Sequence, residues 1–253
     1  RRQRQMCIRD SLCAINGIDE STGSFEGVCN DVSTIAFDVN RYIETDDGKM
    51  TESNAYNWLS KYMKMYISGL GWFIMDSPET HGTGTKEYKS ITANSAQGEY
   101  GQIPLDGWKV NCGTTDSLEM LVDGNVEEIE GVEFAKEQIK FYNEKTPKLS
   151  LVNILVDKVP GWKVGYIDNI PKEYETIENG EVKKKIVYLK DEIGTFNIDY
   201  NDVYSFITQD FEKFFSCIVE FDYKNLVVNF YRVENFGEET NVTIGYRNVQ
   251  NSH

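Results

Sequence analysis

Alternating apolar and polar positions predict β-strands through most of the first half of the chain. Ile35, Phe37 and Val39 recur at every second position, which is the pattern of a half-buried strand. The apolar run from Gly71 to Met75 predicts a buried strand, and a renewed alternation over residues 88–96 predicts another. The chain up to about residue 110 is therefore expected to be a β-rich unit.

Three segments have the spacing of helices instead. Residues 55–67 place aromatic and aliphatic side chains three and four positions apart, which favours a helix, with a strand pair as the alternative. A second helix is expected between Thr146-Pro147, a good helix start, and the stop at Pro160-Gly161. A third begins at Asn201 or Asp202. Its predicted apolar face consists of Val203, Phe206, Ile207, Phe211, Phe214 and Phe215.

Strands surround this third helix in the sequence. Residues 162–167 read as a strand with Trp162, Val164 and Tyr166 on one face, and Asn179-Gly180 predicts a hairpin turn. Further strands are expected at 217–222, 226–233 and 241–246, and a turn at 223–225 is expected to join the first two as a hairpin. The helix would cover one face of this sheet, so the fold class is α+β and rich in β-structure.

Composition and charge narrow the classes of function. The 253 residues include 26 basic and 41 acidic side chains, for a net charge of −15, and 40% are hydrophobic. Such a chain folds, and its acidity argues against a protein that binds nucleic acid through the phosphate backbone, or one drawn to anionic lipid. The longest apolar stretch is far short of the roughly 20 residues that span a bilayer.

The first eleven residues differ from the rest, because they carry four arginines and one acid. We interpret residues 1–11 as a translated sequencing adapter outside the fold, with a basic arm as the rival reading, and expect the chain to be cut at both ends. The five cysteines show no C-x-x-C spacing and are an odd number. We therefore expect free, mostly buried thiols rather than a disulfide framework.

Candidate chemistry is sparse. His81 lies in a Gly/Thr loop and is expected to be exposed, while His253 is the last residue, and neither belongs to a metal-ligand pattern. Glu220 and Asp222 share one strand face and could form the carboxylate pair of a glycoside hydrolase, although such a pair is also ordinary on the polar face of a sheet. We expect no catalytic, cofactor-binding or metal-binding residues.

A series of short motifs in a fixed order resembles one known family. Pro160-Gly-Trp-Lys-Val-Gly-Tyr-Ile-Asp168 is followed by Asp202-Val-Tyr-Ser-Phe-Ile207, Phe214-Phe-Ser-Cys-Ile-Val-Glu-Phe-Asp222, Val228-Asn-Phe-Tyr231, Gly237-Glu-Glu-Thr240 and Arg247-Asn-Val249. Upstream come Gly71-Trp-Phe-Ile74 and Lys89-Ser-Ile-Thr-Ala93. Together these motifs are similar to the amino-terminal region of phage minor structural proteins, the prophage endopeptidase tail (tail-associated lysin) family. The structural fingerprint consists of Gly161, Trp162, Gly165, Phe206, Phe221, Asp222 and Asn248.

This resemblance implies a baseplate-hub-like fold with β-barrel-type domains and the helix-on-sheet unit, divided into a β-rich domain over 12–110 and an α+β domain over 111–253. It implies a structural hub subunit at the tail tip of a virion, made in the host cytoplasm and assembled as a homotrimer. Its partners would be the distal tail protein and other tail proteins, and it would lead to a carboxy-terminal host-surface domain. Any endopeptidase activity would belong to that further domain, so this chain is not expected to be an enzyme.

Two other functions remain open at this point. The aromatic content, with 15 Tyr, 13 Phe and 4 Trp, would suit a carbohydrate-binding module for host recognition, provided that several of these side chains are exposed on one face. The second alternative is a cell-wall hydrolase that uses Glu220 and Asp222.

Overall fold

The computed structural model describes residues 15–28, 31–105, 108–111, 119–122, 125–128, 140–192, 195–198 and 202–233. The structure describes only the backbone of residues 108–111, 119–122, 125–128, 148, 178 and 195–198. These ranges do not include the predicted strand at 241–246, residues 1–11, Asn248 and His253.

The described residues form a strand-rich α+β structure. Its strands are β1 (Ile18–Glu26), β2 (Thr34–Asn40), β3 (Tyr42–Glu44), β4 (Met50–Glu52), β5 (Lys64–Ile67), β6 (Gly71–Met75), β7 (Glu79–His81), β8 (Tyr88–Ser95), β9 (Trp108–Asn111), β10 (Glu119–Val122), β11 (Asn125–Glu128), β12 (Lys163–Ile167), β13 (Pro171–Glu178), β14 (Glu181–Tyr188), β15 (Thr195–Ile198), β16 (Cys217–Asp222) and β17 (Val227–Arg232). The helices are α1 (Leu151–Val156) and α2 (residues 203–215), and 3₁₀ turns cover Tyr56–Trp58, Gly84–Lys86, Ala96–Gln102, Pro147–Leu149 and Leu189–Asp191.

The first half of the chain builds an antiparallel sheet from the strands that the alternation predicts. Its order is β1-β2-β8-β6-β5, so β1 and β5 are the ends of this order among the described residues, and β7 also pairs with β8. The sheet is strongly curled: the rings of Phe25 on β1 and Phe73 on β6 have centroids 6.5 Å apart. Three steps of about 4.8 Å would separate these strands in a flat sheet. Within the described residues no sheet closes into a barrel.

The helix predicted over 55–67 is wrong, and the alternative strand reading is correct for its second half. A 3₁₀ turn at Tyr56–Trp58 leads to β5, which pairs with β6 through Lys64 opposite Ile74. Tyr62 has a left-handed φ of 67°, which interrupts any helix at that point. The spacing misleads because Trp58, Tyr62 and Tyr66, which it aligns on one helix face, are all exposed.

The second half centres on a three-stranded sheet with the order β12-β17-β16. β16 and β17 form the predicted antiparallel hairpin, whereas β12 joins β17 in parallel. Helix α2 packs on this sheet, since its Phe206, Phe211 and Phe215 belong to the same buried cluster as Val219 and Phe230. The helix-on-sheet unit predicted from the sequence is therefore present.

Helix α2 is not a regular α-helix. Its parts are an α-helical turn at Val203–Ser205, a π-helix at Phe206–Phe211 and an α-helical turn at Glu212–Phe215. The wider π turn brings two phenylalanines five positions apart, Phe206 and Phe211, into ring contact at 6.1 Å. Asp202 caps the helix as predicted, by accepting a 2.8 Å hydrogen bond from the Ser205 amide. Phe214, expected on the buried face, is half exposed.

Helix α1 is much shorter than the predicted segment 146–161. Thr146-Pro147 begins a 3₁₀ turn, and the α-helix starts only after Ser150, whose hydroxyl accepts from the Asn153 amide. The hairpin at Asn179-Gly180 is confirmed: β13 and β14 pair in register over eight residues. Both turn residues have positive φ, 55° and 80°, as a type I′ turn requires.

Candidate functional site

Trp162 lies in a buried cluster together with two other fingerprint residues, Phe206 and Phe221. It is only 3% exposed, and its ring contacts those of Tyr100 at 5.5 Å and Phe221 at 5.9 Å. Gly161, with φ of +95°, makes the left-handed turn that brings Trp162 back from α1 into this core. Phe206 is fully buried in the same cluster. These residues pack the interior of the protein.

Gly165 sits at an irregularity in the pairing of β12 with β17. Val164 lies opposite Val228, but Ile167 lies opposite Phe230, so β12 has one residue more than its partner. Such a bulge leaves an amide without a strand partner. The Asn229 side-chain oxygen accepts from the Tyr166 amide at 2.8 Å, and a Cβ on Gly165 would overlap that oxygen. The bulge also turns Tyr166 outward, so the predicted common face of Trp162, Val164 and Tyr166 is wrong.

Glu220 and Asp222, the carboxylates of the hydrolase alternative, have separate structural partners. Glu220 Oε2 accepts hydrogen bonds from Asn229 Nδ2 at 2.9 Å and from the Tyr231 hydroxyl at 3.0 Å. Burial, together with the bond to Glu220, raises the pKa of Tyr231 to about 12. Glu220 therefore continues the hydrogen-bond chain that begins at the bulge.

Asp222 closes the turn between β16 and β17. Its Oδ1 accepts from the amides of Lys224 and Asn225 at 3.0 and 3.1 Å, and its Oδ2 accepts from Asn225 Nδ2 at 2.6 Å. Both carboxylate oxygens are thus held by the turn, which is the usual role of aspartate at such positions. This geometry gives Asp222 a turn-forming role.

A buried polar cluster that the sequence pattern does not reveal ties the second half together. The Arg232 side chain is almost fully buried and donates to Glu192 through Nη2 and to the Phe215 carbonyl through Nη1 at 2.8 Å. Asp168, the last residue of the first motif, accepts from the Arg232 amide at 3.1 Å and the Ile170 amide at 3.2 Å. The cluster joins the ends of β12, β17 and α2, so its polar groups serve the fold.

An apolar groove lies between β1 and β5. Its volume is 1120 Å³, and the exposed side chains around it include Ile18, Phe25, Trp58, Met63 and Tyr66. Trp58 is 63% exposed and Trp72 half-buried, Trp162 is buried, and the Trp108 side chain lies outside the described residues. The carbohydrate-binding alternative requires several exposed aromatic side chains on one surface, and this groove has them. Its lining, however, has few polar side chains that could bind sugar hydroxyls.

The described residues give little support for a catalytic histidine, a reactive thiol or a metal site. His81, predicted to be exposed, is partly buried at the end of β7, with 41% of its side chain exposed, and stacks on Tyr88 at 5.2 Å. Cys217 is buried, and burial raises the pKa of its thiol; the other four cysteines lie outside the described ranges. In the part of the chain that the structure describes, no three His, Cys, Asp or Glu side chains converge, and no helix has the length and apolarity to cross a membrane.

Comparisons with known proteins give one structural likeness. No family model and no curated protein matches the chain. Among solved structures, the crystal structure of prophage tail protein gp18 from Listeria monocytogenes EGD-e is similar at a TM-score of 0.49 and 15% identity. The likeness covers 92% of this chain and 50% of that one, so the chain spans about half the length of the protein it matches. A TM-score at this level does not assign a shared fold.

The structure brings most of the sequence-derived fingerprint together. Trp162, Phe206 and Phe221 meet in one core, Gly161 and Gly165 shape the strand beside it, and Asp222 forms the adjoining turn. Asn248 lies outside the described residues. The sequence analysis missed Arg232 and Glu192 and the role of Asn229, because a polar residue carries no local sign of the distant groups that it binds.

Proposed function

We propose that this chain is a structural subunit of a bacteriophage or prophage tail, acting as the hub at the tail tip. Three copies would surround the tail axis, contact the distal tail protein and carry a host-surface domain. The chain itself would be a scaffold and not an enzyme. The sequence resemblance to phage minor structural proteins motivates this proposal, and the positions of the resembling residues support it.

The observation that carries the proposal is the contact between the two parts of the motif series. Gly71 and Trp72 begin the upstream motif, and the Trp72 amide donates to the Tyr223 carbonyl at 3.0 Å, directly after the Phe214–Asp222 motif. Phe73 and Tyr223 are in ring contact at 5.7 Å. A Cβ on Gly71 would lie 3.0 Å or less from Tyr223 and Lys224, so this close approach requires glycine.

The packing of these motifs against each other argues that the sequence resemblance is not a coincidence. Each motif is short, and unrelated short matches would be scattered over a fold. Here segments more than 140 positions apart in the sequence pack against each other, and the four downstream motifs with described residues surround one core. The polar members, Asp168, Glu220 and Asp222, stabilise turns and a bulge, which suits a scaffold.

Native mass spectrometry of the full chain over a dilution series tests whether three copies form a closed ring. We expect a species with three times the mass of one chain that persists as the protein is diluted, because a closed ring has no free interface at which to continue growing. A chain that remains monomeric at every concentration, or that grows without a fixed end point, would contradict the proposed hub.

A further inference from the structure

A small pocket lies beside the first sheet, where β2, β8 and β6 are neighbours. Its volume of 350 Å³ is near the lower end of the roughly 300–1,000 Å³ of small-ligand pockets, so it suits one small ring and not an extended chain. In contrast to the β1–β5 groove, its lining is mainly polar. The polar members are Thr34, Tyr62, Asp76, Asn94, Ser95 and Gln102.

Three of these side chains form a hydrogen-bonded row across the sheet. Thr34 Oγ1 donates to Asn94 Oδ1 at 3.1 Å, and Asn94 Nδ2 donates to Asp76 Oδ2 at 3.1 Å. The row fixes the orientation of the amide and of the carboxylate. Among the described residues, Asp76 Oδ1 has no hydrogen-bond partner and Asn94 Nδ2 has a second hydrogen to donate, so both side chains can also bind a ligand.

Tyr62 lines this pocket in a strained backbone conformation. The Met63 amide donates to the Ser60 carbonyl at 3.3 Å, so Tyr62 is the third residue of a turn, and its φ of 67° is one that glycine or asparagine usually adopts there. The Tyr62 amide donates to the Met75 carbonyl at 2.8 Å, which holds the residue beside Asp76. The Tyr62 side chain is 59% exposed and gains little from burial. Backbone strain that burial of the side chain does not offset points to a role in binding.

The charges around the pocket favour a neutral ligand. Asp76 is the one charged side chain in the described lining and would repel an anion. Lys61 Nζ lies 4.7 Å from the centroid of the Tyr62 ring, so a cation that approached this ring would meet a like charge. A neutral ligand with several hydroxyl groups fits, because each hydroxyl both donates and accepts, as do the side-chain amides of Asn94 and Gln102.

We propose that this pocket binds one neutral sugar ring. The C–H face of the sugar stacks on the Tyr62 ring, and its hydroxyls bind to Asp76, Asn94 and Gln102. The site goes beyond the proposed function, because neither the fold nor the assembly of a hub requires a sugar. It also differs in place from the apolar β1–β5 groove, so substitutions can separate the two surfaces.

Isothermal titration and saturation-transfer NMR of the full chain test the choice of ligand. The neutral probes are methyl glucoside, methyl galactoside and N-acetylglucosamine, and the charged ones are glucuronate and protonated glucosamine. We expect at least one neutral probe to bind saturably with a dissociation constant of about 1–10 mM, and both charged probes to bind at least about tenfold more weakly. Failure of every neutral probe to saturate the protein, or a preference for a charged probe, would overturn the inference.

Substitutions locate the bound sugar. Glycine accepts the φ of position 62 without strain, so Tyr62→Gly removes the ring and keeps the turn. We expect Tyr62→Gly and Asp76→Ala each to raise the dissociation constant by about tenfold or more, with thermal unfolding showing that both variants fold. The matched controls are Tyr66→Ala, an exposed tyrosine of the β1–β5 groove, and Asp46→Ala, an exposed carboxylate of a turn outside the pocket. Both controls should bind within about twofold of wild type.

The outcomes separate this site from the groove and from the hub proposal. Binding that is lost in Tyr66→Ala and kept in Tyr62→Gly would place the sugar in the groove and overturn the inference. Unchanged binding in Tyr62→Gly or in Asp76→Ala would overturn it as well. A trimer that binds no sugar would contradict the site and leave the hub standing, whereas a monomer that binds sugar through Tyr62 would support the site and contradict the hub.

Discussion

Arg232 and Glu192 form an ion pair that is almost completely removed from water. The Arg232 guanidinium also donates to the Phe215 carbonyl, and Glu192 also accepts from Tyr174, so each charge has further hydrogen bonds. A buried pair adds little net stability relative to apolar residues, but removing one partner leaves the other charge buried and unpaired.

Substitution of Arg232 by methionine should therefore be severe. We expect Arg232→Met to lower the free energy of unfolding by about 3–5 kcal/mol, measured by urea denaturation. Lys49→Met, which breaks the exposed pair between Lys49 and Asp47, is the control and should cost about 1 kcal/mol or less. Equal effects of the two substitutions would show that the Arg232 cluster has no special structural role.

The stability of the folded chain depends on pH through the side chain of Glu212. Burial raises the pKa of this carboxyl, although the Val219 amide donates to it at 2.6 Å. The unfolded chain therefore releases this proton at a lower pH than the folded one. The folded state loses stability as the pH rises from the usual glutamate pKa of about 4.3 through the raised value, and the loss is constant above it.

Glutamine at position 212 should remove this loss of stability at higher pH. Its side-chain oxygen can still accept the hydrogen bond from the Val219 amide, but the side chain does not ionise. We expect the stability of Glu212→Gln relative to wild type to increase as the pH rises from about 4 to 7. Urea unfolding at several pH values measures it. A difference that is independent of pH would show that Glu212 does not titrate in this way.

The bulge in strand β12 requires glycine at position 165. Alanine at position 165 would force Asn229 away and leave the Tyr166 amide of the bulge without its acceptor. We expect Gly165→Ala to destabilise the fold by about 1–3 kcal/mol in thermal or urea unfolding. Gly98→Ala is the matched control, since a Cβ there would meet its nearest neighbour at an ordinary 3.7 Å. A tolerated Gly165→Ala would contradict this account of the bulge.

Elements with local signals were predictable from the sequence. The Asn179-Gly180 turn, the Asp202 cap and the β16–β17 hairpin each follow from neighbouring residues, and the structure confirms them. The β12 bulge and the parallel pairing of β12 with β17 depend on Asn229, more than sixty positions away, so periodicity alone does not reveal them. In the segment 55–67, Tyr56 and Leu59 enter a core while Trp58, Tyr62 and Tyr66 are exposed, and the helical spacing of the apolar residues does not show this division.

The candidate binding surfaces were even less predictable. Thr34, Asn94 and Asp76 are far apart in the sequence, and only the strand pairing places them in one hydrogen-bonded row. The β1–β5 groove likewise depends on the curl of the sheet, which brings Phe25 near Phe73. Interaction surfaces are features of the assembled fold.

At the scale of the whole molecule, the two halves of the chain share a core. Ile74, Tyr100 and Leu105 belong to the same buried cluster as α1 and α2, and the Gly71–Trp72 end of β6 contacts the β16–β17 turn. The domain boundary near residue 110 stays a prediction. A shared core of this kind suits the proposed hub, whose subunits would hold a fixed position around the tail axis.

The position of this protein in a virion tests the central claim most directly. A gold-labelled antibody against the chain, applied to tailed particles from the strain that carries the gene, should label the end of the tail farthest from the head. Label along the tail tube, label on the capsid, or intact tailed particles without any label would contradict a structural role at the tail tip.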